Sequence, residues 1–131
     1  MIVVDTHVLA YLYLPGKFSD AAEALLLRDF DWAVPRLWRS EFRNVLATYM
    51  RKGLLAYDDA LSIHRKAEAV VAGAEYDVST SEILRLASES GCSAYDCEFV
   101  ALAEHLDVRL VSEDTRLCRA FPKRARLLAG A

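Results

Sequence analysis

Four acidic residues stand where a carboxylate can do chemistry. Asp5 ends the apolar run Ile2-Val3-Val4, Glu41 lies within a helical stretch, Asp96 falls near the start of another, and Asp114 follows Val111-Ser112. Three of them also have a simpler use. Asp5 and Asp114 each precede a threonine and suit helix N-caps. Ser93-Ala94-Tyr95-Asp96 has the form of a capping box with Asp in place of Glu or Gln, where a negative charge also favours the helix dipole. Glu41 is expected six residues into its helix, too deep for a cap, on one face with Leu37, Val45 and Thr48. Arg39 and Arg43 are two residues away on either side and face elsewhere, and glutamate is seldom buried without a partner. Asp96 stands three and four residues before Phe99 and Val100, so it too leans toward the interior.

Carboxylates brought together repel one another and resist ionisation unless a cation compensates. Oxygen donors select hard cations, so magnesium or manganese is the expected ion. His7, His64 and His105 are scattered, His7 alone near the proposed site, and all three read as structural or solvent-facing. Cys92, Cys97 and Cys118 show no CxxC spacing, which argues against zinc and against a disulfide frame and for reduced thiols.

These acids are positioned by alternating short apolar runs and longer helical segments. Residues 2–4 read as a buried strand, followed by helices over 6–14 and 19–29. Residues 32–34 read as a second strand, with Pro35 in the first turn of a helix that runs to Lys52 and stops at Gly53. A helix over 57–73, a weak strand over 76–78, a helix from Ser79 to Ser90 ended by Gly91, and a helix from Ser93 to His105 follow. The chain closes with a strand over 108–112, a short helix over 115–121 and a last strand over 126–128. Such alternation implies a three-layer α/β/α domain around a central parallel sheet of about five strands. In open sheets of this kind ligands bind beyond the carboxyl ends of the strands, where Asp5 and Asp114 fall.

Composition narrows the function without choosing it. At 131 residues, 54% hydrophobic and 27% charged, the sequence suits one compact domain over residues 1–131. A net charge of −3 is not that of a purely electrostatic phosphate binder, so any grip on nucleic acid must be local or metal-borne. No run of about 18 apolar residues is present and no basic leader precedes Ile2, so the expectation is a cytoplasmic protein with no membrane span.

The four acids, taken with their surroundings, resemble the PIN-domain family, and within it the VapC-type toxins of bacterial toxin–antitoxin modules. VVDTHVLAYL is similar to the family's first motif, with Asp5 and Thr6. VPRLWRSEFRNVL matches the second, with Glu41 and Asn44. SAYDCEFVALAEHLDVRLVSEDTRL matches the third and fourth, with Asp96 and Asp114. The resemblance spans nearly the whole chain. It implies a metal-dependent endoribonuclease, the toxin of a type II toxin–antitoxin system. Asp5, Glu41, Asp96 and Asp114 would hold one or two Mg2+ or Mn2+ ions, and a metal-activated water would cut RNA phosphodiesters to leave 5′-phosphates. Thr6 and Ser112 would orient ligands or water, with Asn44 a weaker candidate for the same role. Glu113 adds an acid beside Asp114, so either could be the fourth ligand, whereas Glu98 points elsewhere on its helix.

Substrate grip is expected from two basic groups, Arg116 and Arg119 near the C-terminus and Arg39 and Arg43 on the helix of Glu41. The first helix, with Val8, Leu9, Tyr11, Leu12, Tyr13 and Leu14, is either core or an apolar patch for another chain. The resemblance implies a small antitoxin partner and a homodimer. Two other acid-based enzymes fit less well. A haloacid-dehalogenase-like phosphatase needs an acid where His7 stands, and a phospho-receiver domain needs an acidic pair and a late lysine that are not evident. The alternative from another class is a non-catalytic PIN-like module that binds RNA or protein.

Overall fold

The computed structural model describes residues 1–131. Five strands, β1 (Ile2–Val4), β2 (Trp32–Pro35), β3 (Glu75–Tyr76), β4 (Leu110–Ser112) and β5 (Ala125–Leu127), form one sheet in the order β3-β2-β1-β4-β5. Every pairing is parallel. Seven helices cover it: α1 (Thr6–Tyr11), α2 (Ser19–Arg28), α3 (Trp38–Arg51), α4 (Tyr57–Val70), α5 (Thr80–Ser90), α6 (Ala94–Leu106) and α7 (Thr115–Ala120). This is the expected three-layer α/β/α architecture.

Both faces of the sheet are buried, which is why the strands read as unbroken apolar runs. Side chains alternate between the layers. Ile2, Val4, Trp32, Val34 and Val111 pack with Val8, Leu9, Leu25, Trp38 and Phe42 under α1 to α4. Val3, Ala33 and Leu110 pack with Phe99, Val100, Leu102 and Leu86 under α5 and α6. The apolar character of the first helix is mostly explained here: Val8, Leu9, Ala10 and Leu14 are buried, and Tyr11, Leu12 and Tyr13 pack against the same core. No helix is long and apolar enough to cross a membrane.

Several boundaries depart from the sequence reading. Pro35 ends β2 instead of opening a helix. The β2–β3 ladder is made by the N–H groups of Val34 and Arg36, which donate to Ala74 and Tyr76, so a residue without an N–H is tolerated between them. The following helix therefore begins at Trp38, and Glu41 lies in its first turn, not six residues in. The first helix stops at Tyr11, ahead of Pro15, which disfavours helical backbone at the residue before it. The third strand is one residue earlier than expected, at Glu75–Tyr76, and Asp77 just beyond it lies at the surface, where it meets Arg36 at 2.9 Å. Gly53 and Gly91 do end their helices with the positive φ of about 73° that glycine adopts without cost.

Candidate active site

β1 has β2 on one side and β4 on the other, so successive connections leave it in opposite directions. The carboxyl ends of these two adjacent strands, β1 and β4, form the crevice where an open α/β sheet binds ligands. Asp5 follows β1 and Asp114 follows β4. Glu41 comes from the first turn of α3 and Asp96 from the first turn of α6. All four line one cleft of ≈ 310 Å³, with Thr6, His7 and Tyr11 on its α1 wall.

Capping and cleft-lining prove compatible. Asp5 caps α1 by accepting from the Val8 N–H at 3.1 Å. Asp114 caps α7 by accepting from the N–H groups of Arg116 and Leu117 at 3.0 and 3.1 Å through one oxygen. The Asp96 N–H donates to Ser93 Oγ at 3.1 Å, the expected half of the capping box. Each cap fixes its carboxylate near a helix N-terminus, where the partial positive charge favours an anion.

Two hydroxyls hold the acids in place. Ser112, fully buried, donates to Asp5 Oδ2 and accepts from the Asp114 N–H at 3.0 Å, tying the ends of β1 and β4 together. Thr6, only 3% exposed, donates to Glu41 Oε1 at 2.7 Å and joins α1 to α3. Asn44 is not in this cleft; it lines an adjacent one with Tyr11 and Tyr49. Glu113 does line the acidic cleft, but its carboxylate is drawn back to the Ala129 N–H at 3.2 Å.

The basic residues separate. Arg116 borders a furrow that it shares with Asp96 and Asp114, and Arg119 is exposed on the same short helix. Arg43 faces a groove between α3 and α4. Arg39 is occupied, with Nε and Nη2 on the two oxygens of Glu75 at 2.7 and 2.9 Å and Nη1 on Glu68 at 3.2 Å. Its bidentate pairing takes its charge away from any substrate.

His7 and Tyr11 are the cleft residues that sequence reasoning undervalued. Their signal was the spacing: four residues apart on α1, they share a face.

Charge crowding is visible in the ionisation of the acids. Burial raises Asp5 above its ordinary 3.8, against the lowering effect of the Ser112 and Val8 hydrogen bonds. Burial also raises Glu41 above 4.5, opposed by the Thr6 hydrogen bond and reinforced by the charges of Asp5 and Asp96. Asp96 is raised above 3.8 by burial and then by Asp114. An acid with a raised folded pKa binds more protons folded than unfolded, so its stabilisation is full below its unfolded value and lost as pH rises through the folded one. Glu75, held low chiefly by its hydrogen bond from Arg39, loses its contribution only as pH falls below 4.5. The melting temperature in EDTA should therefore rise as the pH is lowered from 7 to about 5, by about 4 °C for each kcal/mol of relieved repulsion. A steady fall over that range would contradict this account of the cleft.

A metal must fit these donors to be part of the chemistry. No three His, Cys, Asp or Glu side chains are gathered into a ready-made cage. The donors are all oxygens, and the repulsion among them is what a cation would relieve. Magnesium takes one or two carboxylates directly and keeps several waters, so an open, all-oxygen cleft suits a hydrated hard ion.

The PIN domain family model matches residues 2–121. Ribonuclease VapC3 of Pyrobaculum aerophilum is 30% identical over 92% of this chain and 95% of its own. The crystal structure of PAE2754 from the same organism superposes with a TM-score of 0.78 at 22% identity, covering 98% of this chain and 90% of that one. FitAcB from Neisseria gonorrhoeae gives a TM-score of 0.75 at 18% identity, over 95% of this chain and 96% of that one. FitAB bound to an IR36 DNA fragment gives 0.77 at 18%, over 100% and 97%.

Proposed function

The chain belongs to the PIN-domain family, and from that premise we propose that it is a Mg2+- or Mn2+-dependent endoribonuclease, the toxin half of a type II toxin–antitoxin pair. The observation that supports this most is the convergence of Asp5, Glu41, Asp96 and Asp114, from four separate stretches of chain, on one cleft. In this reading these four acids hold the cation, one or two ions in number. A bound divalent ion supplies an activated water and stabilises charge on the reacting phosphate. Ser112 keeps Asp5 and Asp114 in register, and Thr6 keeps Glu41 turned to the cleft. Glu113, tethered to Ala129, serves as a reserve of negative charge rather than a main ligand. Asn44, on α3, lines the neighbouring cleft and not the acidic one, so it has no part in orienting the metal waters, and Arg39 is committed to its ion pairs.

The decisive test is cleavage of a mixed structured RNA pool by the purified protein with magnesium, with manganese and with EDTA. Metal-dependent cutting that leaves 5′-phosphates is the expected result. Binding without cutting would instead favour a non-catalytic RNA-binding module.

Since the protein is acidic overall, its hold on RNA phosphates must be local. Arg116, beside Asp96 and Asp114, and Arg119 on the same helix are the groups suited to it. Reversing both to Glu should weaken RNA binding and lower the slope of log affinity against log salt by about 1–2. An unchanged slope would remove these residues from the substrate path. A small antitoxin and a homodimer complete the proposal, as the resemblance of the four motifs to VapC-type toxins implies. Copurification as a monomer with no antitoxin would count against both.

A further inference from the structure

The acidic cleft has a neighbour that the proposed reaction does not use. Beyond His7 and Tyr11, which line both, a second cleft of ≈ 320 Å³ opens between α1 and α3. Its floor is apolar, made by Ala10, Leu14 and Val45, and Tyr49 forms part of the far wall. No carboxylate lines it, in contrast to the cleft next door. A flat, neutral, partly apolar group suits such a space better than a phosphate or a cation does.

The aromatic walls are held by packing. Tyr11 lies against Phe18 with ring centroids 5.1 Å apart, and the Lys17 ammonium covers Phe18 at 5.0 Å. Burial pushes the Tyr11 phenol up, with smaller contributions from Asp5, Glu113 and Tyr49, so Tyr11 stands within electrostatic reach of both clefts. The polar group available is Asn44. It is exposed, its backbone carbonyl accepts from Thr48 Oγ1 at 2.9 Å, and its side-chain amide has no hydrogen-bond partner within the chain. A side-chain amide carries both a donor and an acceptor, the pair that reads the edge of a base. Unpaired bases in RNA are recognised by this combination of aromatic stacking and edge hydrogen bonds.

We propose that this second cleft is a base-binding subsite, which takes the unpaired nucleobase flanking the phosphodiester held in the acidic cleft, stacks it on Tyr11 and Tyr49, and reads its edge through the Asn44 amide. The inference rests on the ribonuclease reading and deepens it, because it makes cleavage selective for one base beside the cut. The wall of His7 and Tyr11 joins the two clefts, so neighbouring parts of one strand can occupy both.

Binding alone can test it, separately from cutting. Full-length Asp96→Asn protein is titrated with fluorescein-labelled single-stranded oligoadenylate, oligocytidylate and oligouridylate of about ten nucleotides, long enough to span one binding groove. The expected result is an affinity ranking by base, with about tenfold between best and worst, the scale of one base-edge contact. On the same background Asn44→Ala should flatten the ranking. Asn44→Asp, which keeps only acceptors, should favour bases with an amino group over uracil. Tyr49→Leu, which preserves apolar bulk, should weaken all three probes. Equal affinity for the three, no binding, or a ranking untouched by the Asn44 and Tyr49 variants would each overturn the proposal; equal affinity would leave the cleft to a protein segment. Failure of the ribonuclease reading is distinct, since it appears as wild-type protein that cuts no RNA with either metal.

Discussion

Asp96→Asn should abolish metal-dependent RNA cleavage while leaving the protein at least as stable as wild type. Asp96 lies in the first turn of α6, capped through its backbone N–H by Ser93 Oγ, and the substitution keeps that N–H and the side chain's shape. What it removes is a negative charge from a cleft that also holds Asp5, Glu41 and Asp114. Loss of one fixed charge-stabilising group in a site of this kind costs on the order of a thousandfold in rate. Stability moves the other way, because the Asp96 carboxyl is held above its ordinary value by burial and by the charge of Asp114. A neutral amide escapes that penalty at neutral pH. The measurements are single-turnover cleavage with magnesium and thermal melts in EDTA. Residual cleavage within tenfold of wild type would show that Asp96 does not hold the metal, and a melting temperature lowered by many degrees would show that its charge is needed for folding.

Trp38→Ala should be among the most destabilising single changes, at about 3–5 kcal/mol. The Trp38 ring is fully buried, stacked on His64 at 5.3 Å and 16° and edge-on to Phe42 at 5.6 Å. Its Nε1 donates to Glu75 Oε1 at 2.6 Å, the same carboxylate that Arg39 grips. His64 meets Glu68 at 2.6 Å, and Glu68 accepts from Arg39, so one ring anchors α3 to α4 and to β3. Removing it opens a cavity and leaves Glu75 short of a donor. Trp38→Phe retains most of the ring and loses only the hydrogen bond, so it should cost about 1–2 kcal/mol. Urea unfolding of both variants separates the contributions. If Ala and Phe were equally destabilising, packing would not be the main role of this residue. Because Trp38 lies three residues before Glu41, the Ala variant should also lose cleavage through misplacement of that acid.

Sequence alone determined much of what matters for the site. The strand-end positions of Asp5 and Asp114 follow from apolar runs that stop at an acid, and the helix start at Ser93 and the helix stop at Gly91 follow from capping and from positive φ. These are local effects, set by a few adjacent residues, and they survived intact. The three-layer architecture was legible for the same reason, since continuous apolar strands between amphipathic helices leave few alternatives. The capping and cleft-lining readings of Asp5 and Asp114 did not compete, because a cap uses one oxygen while the carboxylate still faces the crevice.

Other features were settled by the tertiary structure alone. Glu41 was expected deep in a helix, but β2 extends through Pro35 because the neighbouring strand supplies acceptors for Val34 and Arg36 only, a partner invisible in the local sequence. Arg39 and Arg43 read as equivalent surface charges, yet Glu75 and Glu68, from about thirty residues away and beyond, capture Arg39 and not Arg43. Asn44 stands one turn past Glu41, but the placement of α1 puts His7 and Tyr11 between them and divides one expected site into two clefts. The raised pKa values of Asp5, Glu41 and Asp96 arise likewise from burial and mutual approach. Neighbours in sequence decide caps, turns and periodicity, because those depend on interactions within a few residues. Which charges meet, and which are left facing an open cleft, depends on contacts between distant segments that exist only once the sheet has assembled.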